Sequence, residues 1–271
     1  MPLLPPPPDM SDVSVAPPHR YFFCHLQKTA GASLLVRLRR YFGARYVYPS
    51  YHDGNVFARV VSVPLLLQHW KEREPEIKLV TGHFPLCTQE LLGGGFRTFT
   101  ILREPVARTL SYLRHRRKLI PEDRAKPLEQ IYEDKQRFHW LIHNHMVKML
   151  SLTTDEMTQG VQTRVDFTPE RLSRAKARLQ TVDVVGIQER FDDFCAVLEE
   201  TFGFDLGPPV LFNQTEPVPV SDSFRRRIAQ DNEMDIELYE FARTVAASRT
   251  SMRRRAQSGG AAGVDLGGSQ A

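Results

Sequence analysis

Apolar positions along the chain switch between two spacings. Short runs rich in β-branched and aromatic residues lie at Tyr21–Leu26, Ile77–Thr81, Phe96–Leu102 and Val182–Ile187. Between them, apolar residues recur every three or four positions, which predicts helices over about 31–42, 63–74, 105–118, 127–150, 169–181, 191–202 and 222–247. Pro105 and Pro169 suit the first turn of two of these helices, and Thr168 suits the cap of the second. Strand–helix alternation of this kind predicts an α/β protein with a central parallel sheet covered by helices on both faces. Ligands of such sheets lie beyond the carboxyl ends of the strands.

The pattern fades at both ends. Residues 1–18 hold Pro5 to Pro8 and Pro17-Pro18 without apolar periodicity and predict a disordered, extended arm. Residues 251–271 pass from a basic triplet into Ser258-Gly259-Gly260-Ala261-Ala262-Gly263 and predict a disordered tail, which leaves one domain over 19–250. Of the 271 residues 41% are hydrophobic and 25% charged, so wholesale disorder is excluded. The excess of 36 Lys and Arg over 32 Asp and Glu gives a net charge of +4, too little to make nucleic acid the default partner but suited to a small anion. Three cysteines, at 24, 87 and 195, form no CxxC pair, against a disulfide scaffold or a cysteine zinc site. With no run long enough for a membrane helix and no signal-like start, the sequence predicts a cytoplasmic protein without a membrane span.

Two strands are followed by residues suited to anions. After the first comes Gln27-Lys28-Thr29-Ala30-Gly31-Ala32-Ser33, leading into a helix. Small residues let the backbone approach a ligand, and a lysine and two hydroxyls join the free N–H groups of the helix start. The order differs from the nucleotide P-loop, because the lysine precedes the glycine. The same segment also fits an ordinary strand–turn–helix with a solvated lysine. After Phe96–Leu102 comes Arg103-Glu104-Pro105, with Ser111 roughly 9 Å along the helix that follows. Arg103 and Ser111 could hold a second anion, or Arg103 could pair with Glu104 while Ser111 packs. Together, two neighbouring strands delivering cations and hydroxyls to one sheet edge suit a ligand with two anionic groups.

Lys28-Thr29-Ala30-Gly31-Ala32-Ser33 and the Arg103…Ser111 spacing resemble the two cofactor motifs of sulfotransferases that use 3′-phosphoadenylyl sulfate, of the carbohydrate type that includes heparan sulfate 2-O-sulfotransferase and its bacterial relatives. Val184 to Phe191, Asn213-Gln214-Thr215 and Ile236 to Ala242 are similar to that family's last core strand, its loop over the cofactor and its closing helix. Gln27 and Ala32 depart from the pattern, where a proline and a threonine are common. The resemblance implies a P-loop-like three-layer fold. It implies that Lys28 and the backbone of 29–33 bind the 5′-phosphosulfate, with hydroxyls from Thr29 and Ser33, and that Arg103 and Ser111 bind the 3′-phosphate. It implies transfer of a sulfuryl group to a hydroxyl of a carbohydrate, glycolipid or small molecule, with no obligate metal and no nucleic-acid partner.

An acceptor hydroxyl needs a base. His83, in Thr81-Gly82-His83, follows a strand and so belongs to the same edge; the resemblance implies a histidine after a glycine in this role, with Glu104 as the alternative. Lys28 and His83 are thus the candidate catalytic residues. His139, His143 and His145 lack the acidic partner of a catalytic zinc set, and no metal is expected. Arg114 to Lys118 predicts either a solvated helix end or the rim of a cleft for an acidic sugar. A P-loop-type kinase and a non-catalytic module binding adenosine bisphosphate are the competing functions.

Overall fold

In Tyr21-Phe22-Phe23-Cys24 every side chain is buried, and successive residues face opposite sides of a sheet. The computed structural model describes residues 19–50, 56–157, 159–210 and 218–260. Its strands are β1 (Tyr21–Cys24), β2 (Val47–Tyr48), β3 (Leu79–Gly82), β4 (Arg97–Leu102) and β5 (Val184–Ile187), joined in the order β2-β3-β1-β4-β5 with every pairing parallel. Phe22 sits between Val80 of β3 and Thr98 of β4. The helices of seven or more residues are α1 (Gly31–Phe42), α2 (Val63–Arg73), α3 (Pro105–Leu119), α4 (His145–Ser151), α5 (Pro169–Thr181), α6 (Phe191–Phe202), α7 (Asp222–Asp231) and α8 (Glu233–Gly260).

Helices cover both faces, which makes a three-layer α/β fold. Tyr21, Phe23, Phe99 and Ile101 pack with Leu34 and Leu38 of α1 and with Phe194 and Leu198 of α6. Phe22, Val80, Leu102 and Val185 pack with residues of α2, α4, α5 and α8. A third cluster joins Leu110 and Leu113 of α3 to Phe224 and Ile228 of α7. Among the described residues no helix is long and apolar enough to cross a membrane.

Two predicted helices are broken. The stretch 127–150 divides into helices at Leu128–Tyr132 and Lys135–Arg137, a π-helical turn at Phe138–Ile142, and α4. Asp134 caps one break by accepting from the Arg137 N–H, and Asn144 makes the other with a left-handed φ of 43°. The predicted helix 222–247 is α7 and α8, separated at Asn232. The Asn232 Oδ1 accepts from the Asn144 N–H at 3.0 Å, and its Nδ2 donates to the Ile228 carbonyl at 2.9 Å. α8 continues through Met252-Arg253-Arg254-Arg255-Ala256-Gln257 to Gly260, so the helix replaces the first half of the predicted tail; these residues contain no Gly or Pro to stop it. The strand Val47–Tyr48 has no counterpart among the predicted ones. The arm 1–18, residues 261–271 and Asn213, Gln214 and Thr215 lie outside the described residues.

Candidate anion-binding site

The chain leaves β1 toward β2 and β3 on one side of it, then crosses to β4 and β5 on the other. The direction of winding therefore changes between β1 and β4, and a crevice opens at their carboxyl ends. The three central strands deliver the predicted residues there: β1 leads to the Lys28 turn, β4 to Arg103, and β3 to His83.

Lys28 and Ala30 are both left-handed, with φ of 67° and 66°. Each non-glycine residue in this region costs about 1–2 kcal/mol, so the turn is held by its surroundings. Left-handed residues in such a turn gather backbone N–H groups on a concave side that favours anions. Ala30 caps α1 without a side-chain hydrogen bond, and no acidic residue occupies the first turn of α1. The positive end of the helix is thus left uncompensated. A Cβ on Gly31 would come within 2.0 Å of His25 Nε2, so the close approach of the His25 ring dictates glycine. Thr29 is fully buried, and its hydroxyl donates to the Leu26 carbonyl at 2.8 Å. That bond ties the Thr29 hydroxyl to the turn itself. Ser33 is buried on the first turn of α1 at 8% exposure.

Arg103 crosses from β4 to this turn: its Nη1 donates to the Lys28 carbonyl at 3.1 Å. Its Nε is buried and has no hydrogen-bond partner among the described residues. Arg103 does not pair with Glu104. The two Glu104 oxygens accept from the N–H groups of Val106 and Ala107, at 2.9 and 2.7 Å, and so cap α3. Ser111 lies buried on α3, at 7% exposure.

Burial, and then the charges of Arg103 and Arg114, lower the Lys28 ammonium to about 8. Burial likewise lowers Arg103, opposed by Glu189 and Glu104. Among the described residues, the charges that act on Lys28 are those of Arg103 and Arg114, both cations.

His83 is half-buried beside His25, with the ring centroids 4.6 Å apart. Its Nδ1 lies 2.9 Å from the His25 carbonyl. A carbonyl only accepts, so Nδ1 carries the proton of the neutral ring and Nε2 keeps its lone pair. Burial lowers His83 to about 4, the backbone hydrogen bond acting against it and Lys28 with it. Gly82, at φ 151°, allows the strand to turn here, because a Cβ would lie 2.5 Å from the Phe84 ring.

Two residues of the run Arg114 to Lys118, whose members the sequence does not tell apart, lie on the face of Ser111. Arg114 and His115 are half-buried on α3, three and four positions beyond Ser111 and so on its face. His115 is lowered to about 4, by burial and then by Lys28, Lys118 and His83. The i, i+3, i+4 spacing from Ser111 was the available signal, hidden within a run of charges. Arg116, in the same run, faces elsewhere and pairs with Asp123. His145 is fully buried in the core, and among the described residues no three His, Cys, Asp or Glu side chains group to hold a metal ion. Two surface cavities, of about 300 and 460 Å³, are lined by Arg116, Asp123 and Arg137 and by Val63, Leu67 and Met157, away from this crevice. No protein-family model matches the chain, and no curated protein matches it either.

Proposed function

We propose that this chain is a sulfotransferase that uses 3′-phosphoadenylyl sulfate and acts on a hydroxyl of a carbohydrate, glycolipid or small molecule by in-line transfer. The observation that carries the proposal is the hydrogen bond from Arg103 to the Lys28 carbonyl, which brings two cations from adjacent strands to one crevice, where the charges acting on Lys28 among the described residues are both positive. The buried, unpartnered Nε of Arg103 and the uncapped start of α1 are donors awaiting acceptors, as a doubly anionic cofactor supplies.

Bound there, 3′-phosphoadenylyl sulfate would supply the sulfuryl group. Lys28 and the backbone of residues 29–33 would hold its 5′ end, and Arg103 with Ser111 its 3′-phosphate. Lys28 stabilises the charge that grows on the departing oxygen. His83 accepts the acceptor's hydroxyl proton on Nε2, the nitrogen left free by the contact with the His25 carbonyl. Free, buried thiols at Cys24, Cys87 and Cys195 support a cytoplasmic setting.

The test is a thermal-shift titration with adenosine 3′,5′-bisphosphate in the absence of metal. At about 100 Kd the wild type should gain about 2.7 kcal/mol, and Lys28→Ala and Arg103→Ala should lose most of that gain. No shift in the wild type would end the cofactor assignment. A shift only with ATP and magnesium would favour a kinase, and a bisphosphate shift without turnover on any acceptor would favour a binding module.

A further inference from the structure

The side chain of His25 touches both halves of the site. It is the first residue after β1, and its imidazole closes against Gly31, the first residue of α1. A Cβ on Gly31 would lie 2.0, 2.1 and 2.8 Å from its Nε2, Cδ2 and Cε1 atoms. The same ring meets the ring of His83, with centroids 4.6 Å apart and planes at 49°. Its own place is set from the sheet. His25 stacks on Phe23 of β1 at 5.1 Å and 8°, and Phe23 stacks on Phe99 of β4 at 4.9 Å and 6°. Near-parallel rings thus anchor it to two adjacent strands. Burial, and then the charges of His83 and Lys28, hold the imidazole well below the usual range for histidine, so the ring is neutral. An uncharged ring does not compete with Lys28 for an anion.

His83 has two hydrogen-bonded ties: its backbone N–H to the Val60 carbonyl at 2.6 Å and its Nδ1 to the His25 carbonyl at 2.9 Å. One hydrogen bond to a ring tolerates a range of tilts, so the tilt is set by what packs against the ring. Close-packed contacts leave little slack and pass a displacement on.

We propose that His25 is a positioning residue whose ring sets the tilt of His83 by reference to the start of α1, so that the base and the cofactor's 5′ seat keep one alignment. This rests on the cofactor reading of the Lys28 turn and on His83 as the base, as proposed above. His25 acts through His83 and touches no reacting atom. In-line transfer needs that alignment, because a misplacement of about 1 Å costs roughly a hundredfold in rate.

The experiment follows the His83 ring by NMR of protein labelled at histidine. The backbone carbonyl of residue 25 is present in every variant, so any change reports the His25 ring. Lys28, His115 on α3 and His145 on α4, whose charges couple to His83, are also constant. Wild type should show one His83 tautomer, protonated on Nδ1, down to about pH 4. His25→Ala should mix the tautomers and raise the titration midpoint toward the usual 6.5 by at least about one pH unit, while bisphosphate affinity stays within about threefold. His25→Phe, which keeps a flat ring on Phe23, should retain one tautomer. Gly31→Ala, whose new methyl group meets the His25 ring first, should move the His83 signals when His25 is present and leave them in place when residue 25 is alanine. An unchanged His83 spectrum in His25→Ala overturns the proposal. So does an equal response to Gly31→Ala with and without the ring. Loss of bisphosphate affinity in His25→Ala with His83 unmoved also overturns it, because the ring then serves the cofactor's seat alone. If His25→Ala does not fold, His83 signals unmoved by Gly31→Ala alone overturn the proposal. If the wild type binds no bisphosphate, the cofactor assignment fails separately, and the response of His83 to Gly31→Ala still decides for or against His25.

Discussion

His83 donates its Nδ1–H to the backbone carbonyl of His25, 2.9 Å away, and thereby presents an unprotonated Nε2. The candidate base just after β3 is thus oriented by the first residue after β1, the strand that leads into the Lys28 turn. His83→Ala should lower turnover by about 10²–10⁴-fold and leave bisphosphate affinity nearly unchanged. Steady-state rates beside a binding isotherm check this, and a mutant that turns over its acceptor at the wild-type rate removes His83 from the chemistry.

Lys28 and Arg103 should each contribute about 1.5–3 kcal/mol to anion binding. Alanine at either position should therefore weaken bisphosphate binding by roughly tenfold to a hundredfold. Calorimetric titration measures both variants, and wild-type affinity in either would separate that residue from the site.

The ammonium of Lys28, lowered to about 8, gives the binding a pH dependence. Below that pH the group is charged in the free protein and binding is full. Above it, the anion has to restore a proton, so affinity should fall by up to about tenfold per pH unit. A series of dissociation constants from pH 6.5 to 9.5 reads the bend. Lys28→Arg, charged throughout, should flatten it.

Stability has the opposite dependence at acid pH. His83 and His115 are held neutral in the folded protein to about pH 4, whereas in the unfolded chain each takes up a proton near 6.5. The unfolded state binds more protons in that window, so stability should fall as pH drops from about 6.5 toward 4. Melting curves across the window should show the decline, and asparagine at either histidine should make it shallower.

Gly31 lies under the His25 ring with no room for a methyl group. Gly31→Ala should destabilise the protein by about 1–3 kcal/mol in urea unfolding. Adding His25→Ala should recover much of the loss. If the double variant is no more stable than Gly31→Ala alone, the clash is not the cause.

What the sequence made legible follows from the range of the interactions involved. α1, α5 and α6 run over the predicted residues because their starts and stops are local, as in Thr168 accepting from the Arg171 N–H beside Pro169. The break at Asn144 is invisible locally. Its left-handed backbone is secured by Asn232, and its Oδ1 accepts from the Asp235 N–H, about ninety residues away along the chain. Val47–Tyr48 is too short to show a period at all. At the site, Lys28 and Arg103 stand out because each follows a strand. Arg114 and Arg116 look alike in sequence, yet Arg116 pairs with Asp123 while the charges acting on Arg114 are all cations, Arg103 first among them.

Because β3, β1 and β4 are contiguous and each contributes one group to the crevice, any occupant would rivet the middle of the sheet from its open end. Its grip would register most strongly in the amides of Tyr21–Cys24, which should become the slowest in the molecule to exchange with deuterium, although none of them touches the guest.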